Sequence, residues 1–120
     1  MNNHLILLGD SIIDNNPYVR GTDLPVEKHL KKMLPDWSIE KRAIDGSVIE
    51  DVINLQLRDL KKGSPIALSV GGNNLLKSSG IIQDDAKMTF NQVMKTLKPV
   101  IESFEKDYEN LLDRIQSPAL

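Results

Sequence analysis

Three short segments of the sequence combine glycine with small polar side chains: Gly9–Ser11, Asp45–Ser47 and Gly71–Asn74. Glycine lets the backbone approach a ligand closely, and the hydroxyl, carboxylate and amide groups offer hydrogen bonds. One such segment would indicate little, because these residue types are common in turns. Three that follow consecutive predicted strands are more informative, since ligands of open α/β sheets bind at the carboxyl ends of the strands.

The strands that would position these segments are short. Leu5–Leu8 and Ile66–Val70 are continuous, mainly apolar runs that end in glycine, which is typical of strands buried on both faces of a parallel sheet. Ser38–Ile44 is predicted as a further strand between them, and Asp45-Gly46 is a turn signal.

Amphipathic helices are predicted to follow each strand. The first begins at Pro25 and ends before Pro35, with one apolar face formed by Val26, Leu30, Met33 and Leu34. The second begins at about Ser47, and its apolar residues are Val48, Ile49, Val52, Ile53, Leu55 and Leu57. After the third strand, apolar residues recur every three or four positions from Phe90 to Ile115, and Pro99 falls where it starts or kinks a helix.

The element order β-α-β-α-β-α predicts the α/β class, with a parallel, doubly wound, flavodoxin-like sheet in three α/β/α layers. About three strands are expected, within a single domain that covers residues 1–120. Such a sheet leaves the edge beside Ile66–Val70 open to another chain. We therefore expect a homodimer partner or a second chain to cover this third-strand edge.

Composition excludes several classes of function. The formal net charge of -2 gives no reason to expect nucleic acid or a membrane as partner. The absence of cysteine excludes a disulfide framework and thiolate chemistry, and His4 and His29 form no metal-ligand motif. Neither a dinucleotide fingerprint nor a phosphate-binding Gly-Lys-Ser is present, so no cofactor is expected. Without a secretory signal or a long apolar run, the protein is expected to be cytoplasmic.

The three segments resemble the sequence blocks of the SGNH/GDSL hydrolases. Leu7–Ser11 is similar to the first block, Gly46 to the second, and Val70–Asn74 to the third, whose pattern is Gly-x-Asn-Asp. The first match continues, as in one subgroup of small esterase-like members, through Asp14, Asn15, Tyr18 and Val19. Order and spacing agree, and the resemblance covers the whole chain.

This resemblance implies a serine hydrolase that acts on small carboxylic esters. Ser11 would be the nucleophile that forms an acyl-enzyme. The backbone N–H groups of Ser11 and Gly46 and the side-chain amide of Asn73 would form the oxyanion hole. The remaining motif residues, which would support this site, are Gly9, Asp10, Gly71 and Asn74. Among them, Asp10 would hold the turn.

The sequence departs from the family pattern at two points. Asn74 stands where the family has aspartate, and the last block, Asp-x-x-His, is absent. That block supplies the general base, so the chain is interpreted as C-terminally truncated relative to the family. His4 precedes the first strand, at the end of the sheet opposite Ser11, and His29 lies within the first helix, so neither is expected to be the base.

Three hypotheses stay open at this point. The chain is a serine esterase whose base lies on residues absent from it or on a second chain. Alternatively, it is a catalytically inactive relative that binds a small acyl, carbohydrate or anionic ligand. A structural role as a dimerising module is compatible with both. The acyl and leaving groups are not defined by these residues.

Overall fold

The computed structural model describes residues 3–83 and 89–116. The strands are β1 (His4–Gly9), β2 (Ser38–Lys41) and β3 (Ile66–Ser69). The helices are α1 (Val26–Met33), α2 (Ile49–Asp51), α3 (Gly72–Gln83) and α4 (Phe90–Gln116). A 3₁₀ turn (Asn16–Tyr18) precedes α1, and a π-helical turn (Val52–Gln56) continues α2.

The three strands form one parallel sheet in the order β2-β1-β3. β1 lies in the middle because its apolar run, Ile6 to Leu8, is buried on both faces. On one face, Leu7 and Ile39 pack with Leu30 and other residues of and around α1. On the other, a cluster around Ile6 and Leu8 includes residues of α2, the π turn and α4. The predicted three-layer, parallel α/β fold is confirmed, as an incomplete flavodoxin-like sheet.

Three details differ from the sequence prediction. The second strand ends at Lys41, not Ile44, although the chain stays beside β1 through the N–H of Ala43, which donates to the carbonyl of Leu7. Met33, which the periodicity places on the apolar face of α1, is exposed. Leu55 is also 55% exposed, because the buried face of this segment is formed by Ile49, Val52 and Gln56, at helical spacing, and Leu55 lies off that face.

Helix α4 is continuous through Pro99, where the sequence predicts a helix start or kink. Its second half packs on the sheet through Leu111, which is fully buried, and through Phe104 and Tyr108. Its first half keeps the same spacing but leaves Phe90 77% exposed and Met94 50% exposed. Among the described residues, β3 pairs only with β1, so its second edge is open.

Candidate active site

The three glycine-containing segments meet at the carboxyl edge of the sheet. Gly9 and Ser69 are register partners at the ends of β1 and β3. The chain after β2 is held to the same place, because the N–H of Ile44 donates to the carbonyl of Gly9 at 3.1 Å. The side-chain amide of Asn73 donates to the carbonyl of Ser47 at 3.0 Å, which joins the third segment to the second.

A tight turn directly after β1 presents Ser11. Gly9 has φ +136°, and a Cβ at this position would lie 1.9 Å from the carbonyl oxygen of Ser69, so only glycine fits. Asp10 is buried, and its Oδ1 accepts the N–H of Ile12 at 3.1 Å. The carbonyl of Asp10 accepts the N–H groups of Ile13 and Asp14 at 3.1 and 2.8 Å. These bonds support the expectation that Asp10 holds the turn.

Ser11 is partly exposed on this turn. Within residues 3–83 and 89–116, neither its hydroxyl nor its N–H makes a hydrogen bond to the protein. The N–H of Gly46 is likewise unpaired among the described residues, and Gly46 is exposed at φ +86°. Both backbone donors are therefore available to a bound group.

The buried side chain of Gln56 connects the segment that contains Gly9 to the segment that contains Gly46 and Ser47. Its side chain is 2% exposed. Its Oε1 accepts the N–H of Gly9 at 2.8 Å, and its Nε2 donates to the carbonyl of Gly9 at 2.9 Å and to the hydroxyl of Ser47 at 3.3 Å. The sequence interpretation missed this residue. Its position four residues after buried Val52 was the available signal, since a polar side chain on a buried face needs partners.

The third segment begins α3. Asn73 is half-buried, and its amide nitrogen keeps a second N–H beyond the one given to Ser47. Asn74 accepts the N–H of Ile49 at the start of α2 through Oδ1 at 3.0 Å. A neutral amide thus supplies the acceptor at this position without a charge. Gly71 is buried against the ring of Phe104 of α4.

A charged cluster flanks the Ser11 turn. The ammonium of Lys41 donates to Asp14 at 2.7 Å, and the N–H of Asp45 donates to the same carboxylate at 2.8 Å. These two hydrogen bonds hold the pKa of Asp14 below its usual value, so it stays ionised and is a weak base. The hydroxyl of Tyr18 donates to the Asp45 carboxylate at 3.0 Å, and this bond raises the pKa of Tyr18.

Neither histidine belongs to this edge of the sheet by its contacts. His4 begins β1, and the strand between it and Ser11 spans about 20 Å at roughly 3.3 Å per residue. Its Nε2 lies 2.8 Å from a carboxylate oxygen of Glu40, which also pairs with Arg42. His29 is exposed on α1, one turn after Pro25. The expectation that His4 lies opposite Ser11 agrees with this geometry.

A groove of about 440 Å³ opens beside the third segment, between α2, α3 and α4. Val48, Leu75 and Phe104 give it apolar walls, and Glu50 and Asp107 give it carboxylates. Val48 and Asn74, which line it, follow Gly46 and Asn73 closely in the sequence.

Residues 3–83 and 89–116 contain no group of three or more histidine, aspartate or glutamate side chains that could hold a metal ion. In the same part of the chain, none of the helices has the length and apolar character needed to cross a membrane.

Comparison with known proteins finds distant similarities to solved structures. No protein-family model matches the chain, and no curated protein matches it. A solved structure of Axe2, an acetyl xylan esterase from Geobacillus stearothermophilus, is similar with a TM-score of 0.44 and 18% identity, over 84% of this chain and 54% of that one. A variant of the esterase AlinE4 is similar with a TM-score of 0.43 and 16% identity, over 88% of this chain and 55% of that one.

This chain therefore spans about half the length of these two solved chains. Both similarities are too distant to assign an activity, and neither places a catalytic residue in this sequence.

Proposed function

We propose that this chain carries the nucleophile and oxyanion-binding part of a serine ester hydrolase of the SGNH/GDSL class. Ser11 Oγ attacks the carbonyl carbon of a carboxylic ester, and its proton passes to a general base. The alcohol then leaves as the C–O bond breaks, which gives an acyl-enzyme on Ser11. Water hydrolyses this ester and regenerates Ser11.

The observation that carries the proposal is the hydrogen-bond chain from Gly9 through Gln56 and Ser47 to Asn73. It holds the Ser11 turn, the Gly46 turn and the Asn73 amide in one unit. An oxyanion hole requires donors that are fixed before the reaction, and removal of one donor typically costs about 10²–10³ in turnover. The unpaired N–H groups of Ser11 and Gly46 and the remaining N–H of Asn73 are three suitable donors.

The histidines of this chain do not provide the general base that must accept the proton of Ser11. His4 is paired with Glu40 at the far end of β1, and His29 is exposed on α1. Asp14, beside the turn, is a weak base because its pKa is lowered. The proposal assigns the base to polypeptide beyond these 120 residues or to a second chain. Without a triad base, only about 10³–10⁴-fold catalysis over water is retained.

Steady-state hydrolysis of p-nitrophenyl acetate tests this proposal, with Ser11→Ala as the variant and Ser38→Ala as a matched control, because Ser38 is exposed at the start of β2, opposite His4 and away from Ser11. We expect slow hydrolysis that increases when imidazole is added as an external base. Ser38→Ala should retain this activity, and Ser11→Ala should lose it. Equal rates for the wild type and Ser11→Ala, with and without imidazole, would contradict the proposal.

The second candidate function is a ligand-binding module without turnover. It is favoured by Asn74, whose neutral amide takes the place of the family carboxylate and caps α2. On this alternative, an acetate or phosphonate ion perturbs the amide NMR signals of Ser11, Gly46 and Asn73, while an activated ester leaves Ser11 unmodified. Acylation of Ser11 would exclude it.

A further inference from the structure

Gln56 stands out as a buried polar side chain that no sequence motif accounts for. It lies at the end of the π turn, on the same face as Ile49 and Val52, which pack in the core. Both of these neighbours along the face are apolar. A glutamine in such surroundings costs stability unless each polar atom has a partner, and here both the amide oxygen and the amide nitrogen have one.

The partners of Gln56 explain why the residue is an amide. β2 ends at Lys41, opposite Leu7, so the ladder supplies no acceptor to the N–H of Gly9 two positions later. Gln56 accepts the N–H of Gly9 and also donates to its carbonyl, which the N–H of Ile44 shares as a second donor. The same Nε2 reaches the hydroxyl of Ser47, the residue after Gly46. The amide of Gln56 therefore contacts Gly9, two residues before Ser11, and Ser47, the residue after Gly46.

We propose that Gln56 is a positioning residue: its amide fixes the Gly9 peptide and Ser47 relative to each other, and so places the N–H groups of Ser11 and Gly46 around one oxyanion. This inference rests on the proposed function, because it gives these two N–H groups a common ligand. Gln56 does not touch the substrate. A displacement of about 1 Å in such a site can cost roughly 10²-fold in rate.

The variant Gln56→Glu tests the proposal through pH. A protonated carboxyl has the shape of the amide, accepts the N–H of Gly9 and donates to Gly9 or Ser47. An ionised carboxylate only accepts, so it repels the Gly9 carbonyl. Burial and this repulsion raise the folded-state pKa of the introduced acid above its unfolded value of about 4.3. The contribution of this introduced acid to folding stability is therefore complete at low pH, and it is lost as pH rises through the folded-state pKa.

The experiment measures acylation of the chain by p-nitrophenyl acetate between about pH 5 and 9, for the wild type, Gln56→Glu, Gln56→Leu and Asn54→Asp. Asn54 is exposed in the same π turn, so its change controls for an added carboxylate. We expect the saturating acylation rate of Gln56→Glu to fall about 10²-fold relative to the wild type as pH rises. The half-saturating ester concentration should stay unchanged. Asn54→Asp should follow the wild type.

Amide NMR spectra of the same proteins separate this inference from the proposed function. With Gln56→Glu, the signals of Gly9, Ser11 and Gly46 should shift together along one pH titration. If Ser11 and Gly46 keep their wild-type shifts in Gln56→Glu at high pH and in Gln56→Leu, the positioning role is overturned, whatever the rates. If the signals shift together but the wild type shows no Ser11-dependent acylation, the proposed function is overturned, and Gln56 then positions these N–H groups for no ester hydrolysis.

Discussion

Replacement of Gly9 by alanine should be far more destabilising than an ordinary glycine substitution. The added Cβ would lie 1.9 Å from the carbonyl oxygen of Ser69 and 2.7 Å from its carbon, both of which are backbone atoms that cannot rotate away. The backbone φ of +136° lies in a region that only glycine populates freely, at a cost of about 1–3 kcal/mol for another residue.

The overlap adds to this cost. To restore an ordinary contact, the end of β1 must move away from β3 by more than about 1 Å, which disrupts the bond from the N–H of Asp10 to the carbonyl of Ser69 (3.0 Å). The loss of one such bond costs about 1 kcal/mol. We therefore expect Gly9→Ala to lower the free energy of unfolding by about 2–4 kcal/mol, a substantial part of the roughly 5–15 kcal/mol that is typical of a domain.

Urea unfolding followed by the fluorescence of Trp37 measures this difference, since the single tryptophan packs against one core cluster. Gly21→Ala is the matched control. Gly21 has φ +63°, and no atom lies within 4 Å of the position that a Cβ would take, so its change should cost only about 1–2 kcal/mol. Similar unfolding free energies for the two variants would refute the close approach of Gly9 to Ser69. A Gly9→Ala chain that fails to fold while Gly21→Ala folds would agree with it.

Three further predictions concern the surroundings of the site. Because the pKa of Asp14 is lowered in the folded state, its carboxylate stabilises the fold above about pH 4, and this contribution is lost as pH falls through the folded-state pKa. The urea midpoint of Asp14→Asn should therefore decline less steeply in acid than that of the wild type. Equal declines in the two proteins would contradict the ion pair. Asp45→Asn should lower the raised pKa of Tyr18 towards its ordinary value in an NMR titration of the ring, and an unchanged titration would exclude the contact. Leu111→Ala should lower the free energy of unfolding by about 2–5 kcal/mol, because Leu111 is fully buried. Leu112→Ala should lower it much less, because Leu112 is exposed. Equal losses would mean that α4 packs on the sheet through a different face.

The sequence predicts the sheet and the edge at which the three polar segments meet, because those features follow from local rules. An apolar run such as Leu5–Leu8 that ends in glycine has few alternatives to a buried strand. Once strands are parallel, the segments that follow them must share one edge. The convergence of the Gly9, Gly46 and Asn73 segments therefore follows from their order alone, before any contact is known.

The parts that the sequence did not reveal depend on long-range geometry. Gln56 follows buried Val52 by four residues, as a helical period predicts for a buried face, but its partner Gly9 lies 47 positions away in the sequence and no local pattern identifies it. The apolar spacing of α4 is uniform, yet only the half that contains Leu111 lies over the sheet. Periodicity identifies an apolar face but does not identify what covers it. The expectation that a second chain covers the open edge of β3 remains a prediction.

The covalent state of Ser11 after exposure to an activated ester tests the proposed chemistry at its reacting atom. The purified chain is incubated with p-nitrophenyl acetate, with and without imidazole, then quenched in acid and digested, and the peptide that contains Ser11 is analysed by mass spectrometry. We expect an acetyl group on Ser11, more of it with imidazole, and none on the corresponding peptide of Ser11→Ala. Unmodified Ser11 under every condition, from a chain shown to be folded, would contradict the assignment of Ser11 as the nucleophile.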